Sequence, residues 1–315
     1  MSIDRVATAQ QSSYFLTQIN QAGVKLDDIN RQIASGVVAD TYAGFGDQAQ
    51  VLQASISAHG RNDAYSRATT LASTQVDLQN TQITALSDLA AQLKKVVADT
   101  VANNDPRVLM AQVDSIFSQT VTILNSKDAN GDYIYSGGRT DTAPVSISTL
   151  SQLVALPSVA SAFTNGNDKK AVQVGDGQSV AFGILASDAG QTLMQALKDI
   201  AAFDASGAGN FDGSANLSGA QASFLTGQIA ATDTVAQGLV AINARNGNIF
   251  KQLETVQEQQ TSMATLYASF IDKIQNTNMA EAATQLSLNQ TALQAALQVT
   301  ATLNQLSLLN YLPVR

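Results

Sequence analysis

The sequence predicts a mainly α protein: a long antiparallel, coiled-coil-like helical bundle made from paired amino- and carboxyl-terminal arms, with a small β-rich insertion domain between them. Three observations predict it. The four prolines, Pro106, Pro144, Pro157 and Pro313, leave the first 105 residues and residues 158–312 free of helix-breaking rings. Apolar residues in both of those stretches recur at alternating steps of three and four. Between Thr140 and Ser187 the chain changes to turn residues and short alternating runs.

The first helix is read from Phe15, Ile19, Ala22, Leu26, Ile29 and Ile33, a stripe that stops at Gly36. A second runs through Leu71, Leu78, Leu86, Leu89, Leu93 and Val97. A third follows "NNDPR" through Val113, Phe117, Val121 and Leu124, with Asn104 or Asp105 expected to cap it and Pro106 at its first position. "AVQV" and "SVAFGI" read as short strands, with "TNGND" and "GDGQ" as turns. "AGQTLMQALKDIAAF" is a helix, and "DASGAGNFDGSANLSG" a loop rich in Gly, Ser and Asp. The longest pattern comes next: Leu239, Ile242, Asn246, Ile249, Leu253, Val256, Gln260, Met263, Tyr267, Phe270 and Ile274 keep the three-four step for five heptads. That predicts one helix of roughly 60 Å, at about 1.5 Å per residue. Asn246 and Gln260 fall on its seam, where polar residues fix register at some cost in stability. The expected rod-domain core on this helix is Leu239, Ile242, Ile249, Leu253, Val256, Met263, Phe270 and Ile274, and the β-rich insertion is expected at the tip of the arms.

The final segment, Leu286 to Leu312, has no charged residue in 27 positions. Its apolar residues, Leu286, Leu293, Leu297, Val299, Leu303, Leu306, Leu308 and Leu309, spread over more than one helical face, separated by amides, hydroxyls and alanines. A lone helix is marginal in water, and this one cannot bury all its apolar surface against a single neighbour. Its surroundings are therefore expected to be copies of itself or of related proteins.

Charged residues are 13% of the chain, about half the usual share. The net charge of −8, without a basic patch, argues against a nucleic-acid partner. No cysteine is present, which excludes disulfides and thiolate chemistry. "MSIDRVATAQQSSYF" has no apolar core or small-residue cleavage site, so an exported chain would leave by a route other than the general secretory one. No run of 18 apolar residues occurs, and no membrane span is expected.

Signs of chemistry are weak. "GFGDQA", Gly44 to Ala49, fits a dinucleotide fingerprint, but no buried strand precedes it and no βαβ unit follows, so a loop is expected. "DANGDYIYSGGR" begins like a calcium loop, yet Tyr133 stands where glycine is needed and Arg139 where a bidentate glutamate is needed; a turn at Asn130-Gly131 is expected. His59 is the single histidine, in a polar stretch, and is expected to be solvated. No catalytic residue, cofactor or metal site is assigned, and no enzyme is expected.

The ending "LNQTALQAALQVTATLNQLSLLNYL" resembles the carboxyl end of the flagellin and flagellar hook-associated family, on Leu306, Ser307, Leu308, Leu309, Tyr311 and Leu312. "LDDINRQIASG" is similar to the segment where that family's first helix ends. "GDYIYSGGRTDTAPV" resembles the Y-(I/L)-F-(S/A)-G-x-x-T-D-T-x-P segment of the family's hook-filament junction branch, on Tyr133, Ser136, Gly137, Thr140, Asp141, Thr142 and Pro144. Filament flagellins usually carry an F-N-G type segment there. The resemblance covers roughly residues 1–140 and 190–315, and the separation of Asp40 from Asp47 departs from the paired aspartates common to both branches.

The resemblance implies an extracellular structural subunit of the bacterial flagellum, exported by the flagellar type III apparatus with a cytosolic chaperone and assembling with itself in a helical ring or tube, beside flagellin and a neighbouring hook-associated protein. It implies an inner terminal-helix domain of residues 1–42 and 275–315, a helical rod of 43–140 and 188–274, and an outer β-rich domain of 141–187. The expected assembly interface is Phe15, Ile19, Leu26, Ile29, Ile33, Leu286, Leu293, Leu297, Leu303, Leu306, Leu308, Leu309, Tyr311 and Leu312. A main filament flagellin, or a flagellin-derived surface protein binding a ligand through 141–187, are the alternatives.

Overall fold

A computed structural model describes residues 2–309 and, within them, the side chains of Gln10 and of residues 13–302. The mainly α expectation is borne out. The helices are α1 (Ser2–Ser35), α2 (Ala49–Asn103), α3 (Leu109–Leu124), α4 (Leu150–Ala155), α5 (Ala186–Asp204), α6 (Gly219–Gln275) and α7 (Met279–Leu309). Strands β1 (Lys170–Gly175) and β2 (Gln178–Phe182) pair antiparallel, closing through Asp176-Gly177 with a bulge between Gln173 and Gly175. The chain separates into two compact units, Met1–Arg61 with Met263–Arg315, and Asn62–Ser262.

In the first unit α1 pairs with α7. The helix α1 ends because Gly36 adopts φ +74, a conformation that costs an L-residue about 1–2 kcal/mol. The chain then forms a short antiparallel bridge with the α6–α7 connection. Val38 N–H donates to Gln275 O, Thr277 N–H donates to Gly36 O, and Val37 faces Asn276. Asn278 Oδ1 accepts from Glu281 N–H and caps α7. Tyr42–Gln48, the segment containing "GFGDQ", is a pair of 3₁₀ turns broken at Gly46 (φ +54), so the loop expected there is what forms.

In the second unit α2 and α6 run side by side. The buried stripe of α2 is Thr69, Ala72, Val76, Gln79, Ile83, Leu86, Ala90, Leu93, Val97 and Thr100. Every seventh residue of α6 is buried against it: Leu225, Thr232, Leu239, Asn246, Leu253 and Gln260. Amide nitrogens in this seam find partners, while the oxygens Gln79 Oε1, Asn246 Oδ1 and Gln260 Oε1 are buried without one. Asn246 Nδ2 donates to Val76 O (2.8 Å), Gln260 Nε2 to Val174 O (2.9 Å) and Thr69 Oγ1 (3.1 Å), and Asn62 Nδ2 to Gln260 O (2.8 Å). The core built on this pair takes in α3 through Val113, Ile116 and Phe117, and α5 through Leu193, Leu197 and Ile200.

Several expectations are corrected here. Leu71 and Leu78 are 67% and 40% exposed, because the true seam of α2 runs through smaller and polar residues one face away. Asn104 (φ +54) terminates α2 and does not cap α3; Asp105 instead accepts from Arg107 N–H and pairs with its guanidinium. Residues 141–187 are not a body of their own. Val145, Ile147, Leu150, Leu153, Val159 and Ala162 share one apolar core with α2, α3 and α5. Nor is the hairpin at a tip: Val172, Val174, Val180 and Phe182 pack on Ala72, Val76 and Leu253, midway along the paired helices. Met263, Phe270 and Ile274 belong to the first unit, and Met263 and Phe270 are 39% and 43% exposed, so they are not rod core.

The Gly-rich loop before α6 is anchored. Phe211 is fully buried, 5.7 Å from the Phe203 ring, which stacks on Phe224 at 4.0 Å. Ser218 and Gln221 cap α6 reciprocally. Phe211→Ala is expected to cost about 3–5 kcal/mol in thermal or denaturant unfolding, the range for deleting a buried aromatic ring. Leu71→Ser, on an exposed face, is expected to change stability by less than about 0.5 kcal/mol in the same measurement.

Candidate assembly interface

The pairing of α1 with α7 consumes one stripe of each helix. On α1 the less exposed positions include Phe15, Ile19, Ala22, Leu26, Ile29 and Ile33. On α7 they are Ala282, Leu286, Asn289, Leu293, Ala296 and Thr300. Both follow the three-four step of a coiled-coil seam. Ile29 and Ala282 are the best buried, at 7% and 6%.

A second stripe remains on α7. Leu288, Ala292, Ala295 and Val299 step by four, three and four along the neighbouring face, and all are exposed, Leu288 by 65% and Val299 by 45%. No charge interrupts it, since Glu281 is the one charged residue between Met279 and Leu309. Among the described residues the exposed large apolar side chains of α1, Tyr14, Leu16 and Val24, form no such stripe: beyond Tyr14 the matching face carries Gln18, Gln21, Lys25 and Asp28. Arg31 pairs with Asp28 and, at 2.6 Å, with Asp40, fixing the end of α1 to the segment after it.

The residues expected at an interface thus divide. Phe15, Ile19, Leu26, Ile29, Ile33, Leu286 and Leu293 line the seam inside the chain, whereas Leu297 is half exposed. The side chains of Leu303, Leu306, Leu308 and Leu309, and the whole of Tyr311 and Leu312, lie outside the described residues. The stripe through Ala292 and Ala295 was missed because alanine is a weak apolar signal; its regular spacing from Leu288 and Val299 was the cue available.

The motif residues between α3 and α4 build a buried crosspiece. Tyr133 N–H donates to Thr140 O, Ser136 Oγ to Tyr133 O, and Gly166 N–H to Ser136 O. Thr164 N–H donates to Pro144 O. Gly137 has φ +64, and a Cβ there would lie 2.7 Å from Asp168 O and 2.8 Å from Leu185 Cδ2. Asp141 is exposed, next to Thr142. Tyr135, where the resembling segment carries Phe, is fully buried with no protein partner for its hydroxyl, and burial holds its phenol well above the usual pKa.

Chemistry finds little footing. Asp128 Oδ1 accepts from the backbone N–H groups of Asn130 and Asp132, and Gly131 (φ +87) completes the expected turn, so this carboxylate is spent on the backbone. Among the described residues no group of three or more His, Asp or Glu side chains is placed to hold a metal ion. No described helix is long and apolar enough to cross a membrane.

Paired terminal helices in one unit, and in the other a helical body with a small two-stranded insert, define a mainly α structural class, and the comparisons with known proteins fall in one place within it. Over 93 residues the chain is 31% identical to flagellar hook-associated protein 3 of Escherichia coli K12, a stretch that spans 28% of this chain and 29% of that relative. A solved structure from Vibrio parahaemolyticus, described as a flagellar hook-associated protein, superposes with a TM-score of 0.59 at 16% identity, over 72% of this chain and 97% of that one. Bacillus cereus FlgL superposes with a TM-score of 0.51 at 12% identity, over 70% and 98%. No family model matches the chain. The chain therefore resembles flagellar hook-associated proteins in sequence and shares their fold.

Two substitutions test the crosspiece. Tyr135→Phe removes an unpartnered buried hydroxyl and is expected to raise stability by about 1 kcal/mol in denaturant unfolding. Gly137→Ala, strained in φ and in contact, is expected to lower it by at least about 2 kcal/mol.

Proposed function

We propose that this chain is an extracellular structural subunit of the bacterial flagellum, of the hook-associated type, that joins hook to filament and assembles through its terminal helices with no catalytic role. The observation that carries the reading is the α7 face through Leu288, Ala292, Ala295 and Val299: apolar, uncharged and exposed among the described residues. Such a stripe on a helix already committed to one seam suits lateral packing in a helical array. Amides and hydroxyls between the apolar residues can be buried there without the cost of burying charge. The likeness in sequence and fold to flagellar hook-associated proteins supports the flagellum as the setting.

On this reading the partners are further copies of the chain in a ring or tube, a neighbouring hook-associated protein, and flagellin. Export would run through the flagellar type III apparatus with a cytosolic chaperone. The junction role is favoured over a main filament flagellin by the Tyr133–Pro144 segment, which here is built into the core of the molecule.

Immunogold electron microscopy with antibody to residues 141–187 places the subunit directly. Gold in a narrow band at the distal end of the hook is expected; label along whole filaments would make it a flagellin, and label away from flagella would remove it from the organelle. Deleting residues 306–315, or replacing Leu288 and Val299 together by Lys, is expected to leave a soluble chain with its helical circular dichroism retained while abolishing assembly in sedimentation. Normal polymers from the double Lys variant would sink the role given to this face.

A further inference from the structure

Three Asn-Gly pairs occur in the chain: Asn130-Gly131, Asn165-Gly166 and Asn246-Gly247. In such a pair the glycine has no Cβ to hinder the approach of its nitrogen to the asparagine side-chain carbonyl carbon, so the two groups can react with each other. The reaction needs a free side-chain amide and a backbone able to turn that amide toward the glycine nitrogen. The fold grants these conditions very unequally.

Asn246 is 1% exposed in the α2/α6 seam, with its Nδ2 donating to Val76 O at 2.8 Å, and Gly247 lies inside α6, where the helical ladder occupies its N–H. Asn165 is held at both ends of its amide: Nδ2 donates to Gly166 O (2.9 Å) and Ser187 Oγ (3.2 Å), and Oδ1 accepts from Ser187 N–H (3.2 Å). Gly166 N–H donates to Ser136 O at 2.9 Å within the crosspiece. Asn130 is the opposite case. It and Gly131 are exposed, and among the described residues the Asn130 side-chain amide has no hydrogen-bond partner. A Cβ built on Gly131 would meet nothing within 4 Å. The nucleophile is restrained by one bond, from Gly131 N–H to Asp128 O (3.0 Å), in a turn of residues 128–132 that contains no buried residue.

We propose that Asn130 is a site of spontaneous modification, deamidated on the folded protein to a mixture of aspartate and isoaspartate through attack by the nitrogen of Gly131. The bond from that nitrogen to Asn130 Cγ forms, the Cγ–Nδ2 bond breaks, and the proton lost by the nitrogen is made up, through solvent, on the departing ammonia. Water, the one co-reactant, then opens the cyclic imide. Opening at the side-chain carbonyl gives aspartate in an ordinary backbone; opening at the main-chain carbonyl gives isoaspartate, with the chain running through the side chain and one carbon longer. Either product sets a new carboxylate between Asp128 and Asp132. The isoaspartate form also displaces the turn in which Asp128 Oδ1 accepts from the N–H groups of residue 130 and Asp132, directly before Tyr133 of the crosspiece. The step needs no partner and is independent of the assembly role.

The three pairs in one chain provide the test. The full chain is kept folded in mildly alkaline buffer, sampled over days and digested, and the peptides holding residues 130, 165 and 246 are followed by liquid chromatography and mass spectrometry, which separate aspartate from isoaspartate. The amide at 130 is expected to be lost at least about tenfold faster than those at 165 and 246, since opening a surface turn costs far less than opening the seam or the crosspiece. Both products are expected at 130. Equal rates at the three sites overturn the proposal, as does a lead by Asn165 or Asn246. In urea the three amides are expected to be lost at similar rates; a lead by Asn130 that persists there at full size would place the selectivity in the flanking residues and overturn the role given to the fold.

Discussion

The constraint on which the second unit depends is the antiparallel pairing of α2 with α6, made between residues as far apart as Asn62 and Gln260. Bringing such distant segments together costs loop-closure entropy that grows slowly with length, about 0.6 kcal/mol per doubling. A continuous seam of fully buried side chains, from Thr69 to Thr100 on one helix and Leu225 to Gln260 on the other, offsets it. Everything else in this unit is placed by that seam. The bundle of α3 and α5 packs at its Ile83–Val97 end, and the β hairpin lies where Ala72, Val76 and Leu253 leave a shallow apolar surface.

The seam is not a simple leucine zipper. On α6 the buried positions seven residues apart alternate leucine with a polar side chain: Leu225, Thr232, Leu239, Asn246, Leu253, Gln260. Thr232 returns its hydroxyl to its own helix, at Gln228 O and Ile229 O, while Asn246 and Gln260 reach across to backbone carbonyls of α2 and β1. A buried amide recovers part of its desolvation cost where its nitrogen meets a carbonyl, so these bonds favour one alignment of α2, α6 and the hairpin. The same economy of charge governs the terminal unit, where α7 is uncharged from Ala282 to Leu309 and its seam with α1 contains Asn289 and Thr300. Within the chain this helix is supported through its seam with α1, and the rest of its described surface is uncharged beyond Glu281.

The segment from Tyr133 to Pro144, which carried the likeness to the junction branch, turns out to be scaffolding. Ser136, Gly137 and Pro144 are buried, and the backbone of this stretch links the end of α3 to the approaches of α4 and α5 through bonds such as Ala186 N–H to Tyr135 O. Its residue types are set by backbone geometry and space. That it sits inside the core explains how a short signature can mark a branch without forming a binding site.

Much of the architecture was legible in one dimension. The helices were readable because proline is absent from the arms and the three-four step is a direct consequence of 3.6 residues per turn. The hairpin was readable from its alternation, and the uncharged surface of the last helix from its composition. What the sequence left open is which of several possible faces is buried. On α2, Leu71 and Leu78 are the more hydrophobic choice, yet Thr69, Ala72 and Gln79 are the ones enclosed. On α7, the stripe left exposed beside the seam is half alanine. Periodicity fixes that a helix forms and how its faces repeat, because those are local properties of the backbone. Which face of α2 turns inward is decided by the shape and hydrogen-bonding groups of residues such as Asn246 and Gln260, 170 to 191 positions away, and residues 141–187 settle on elements outside their own segment; those meet only in the tertiary structure.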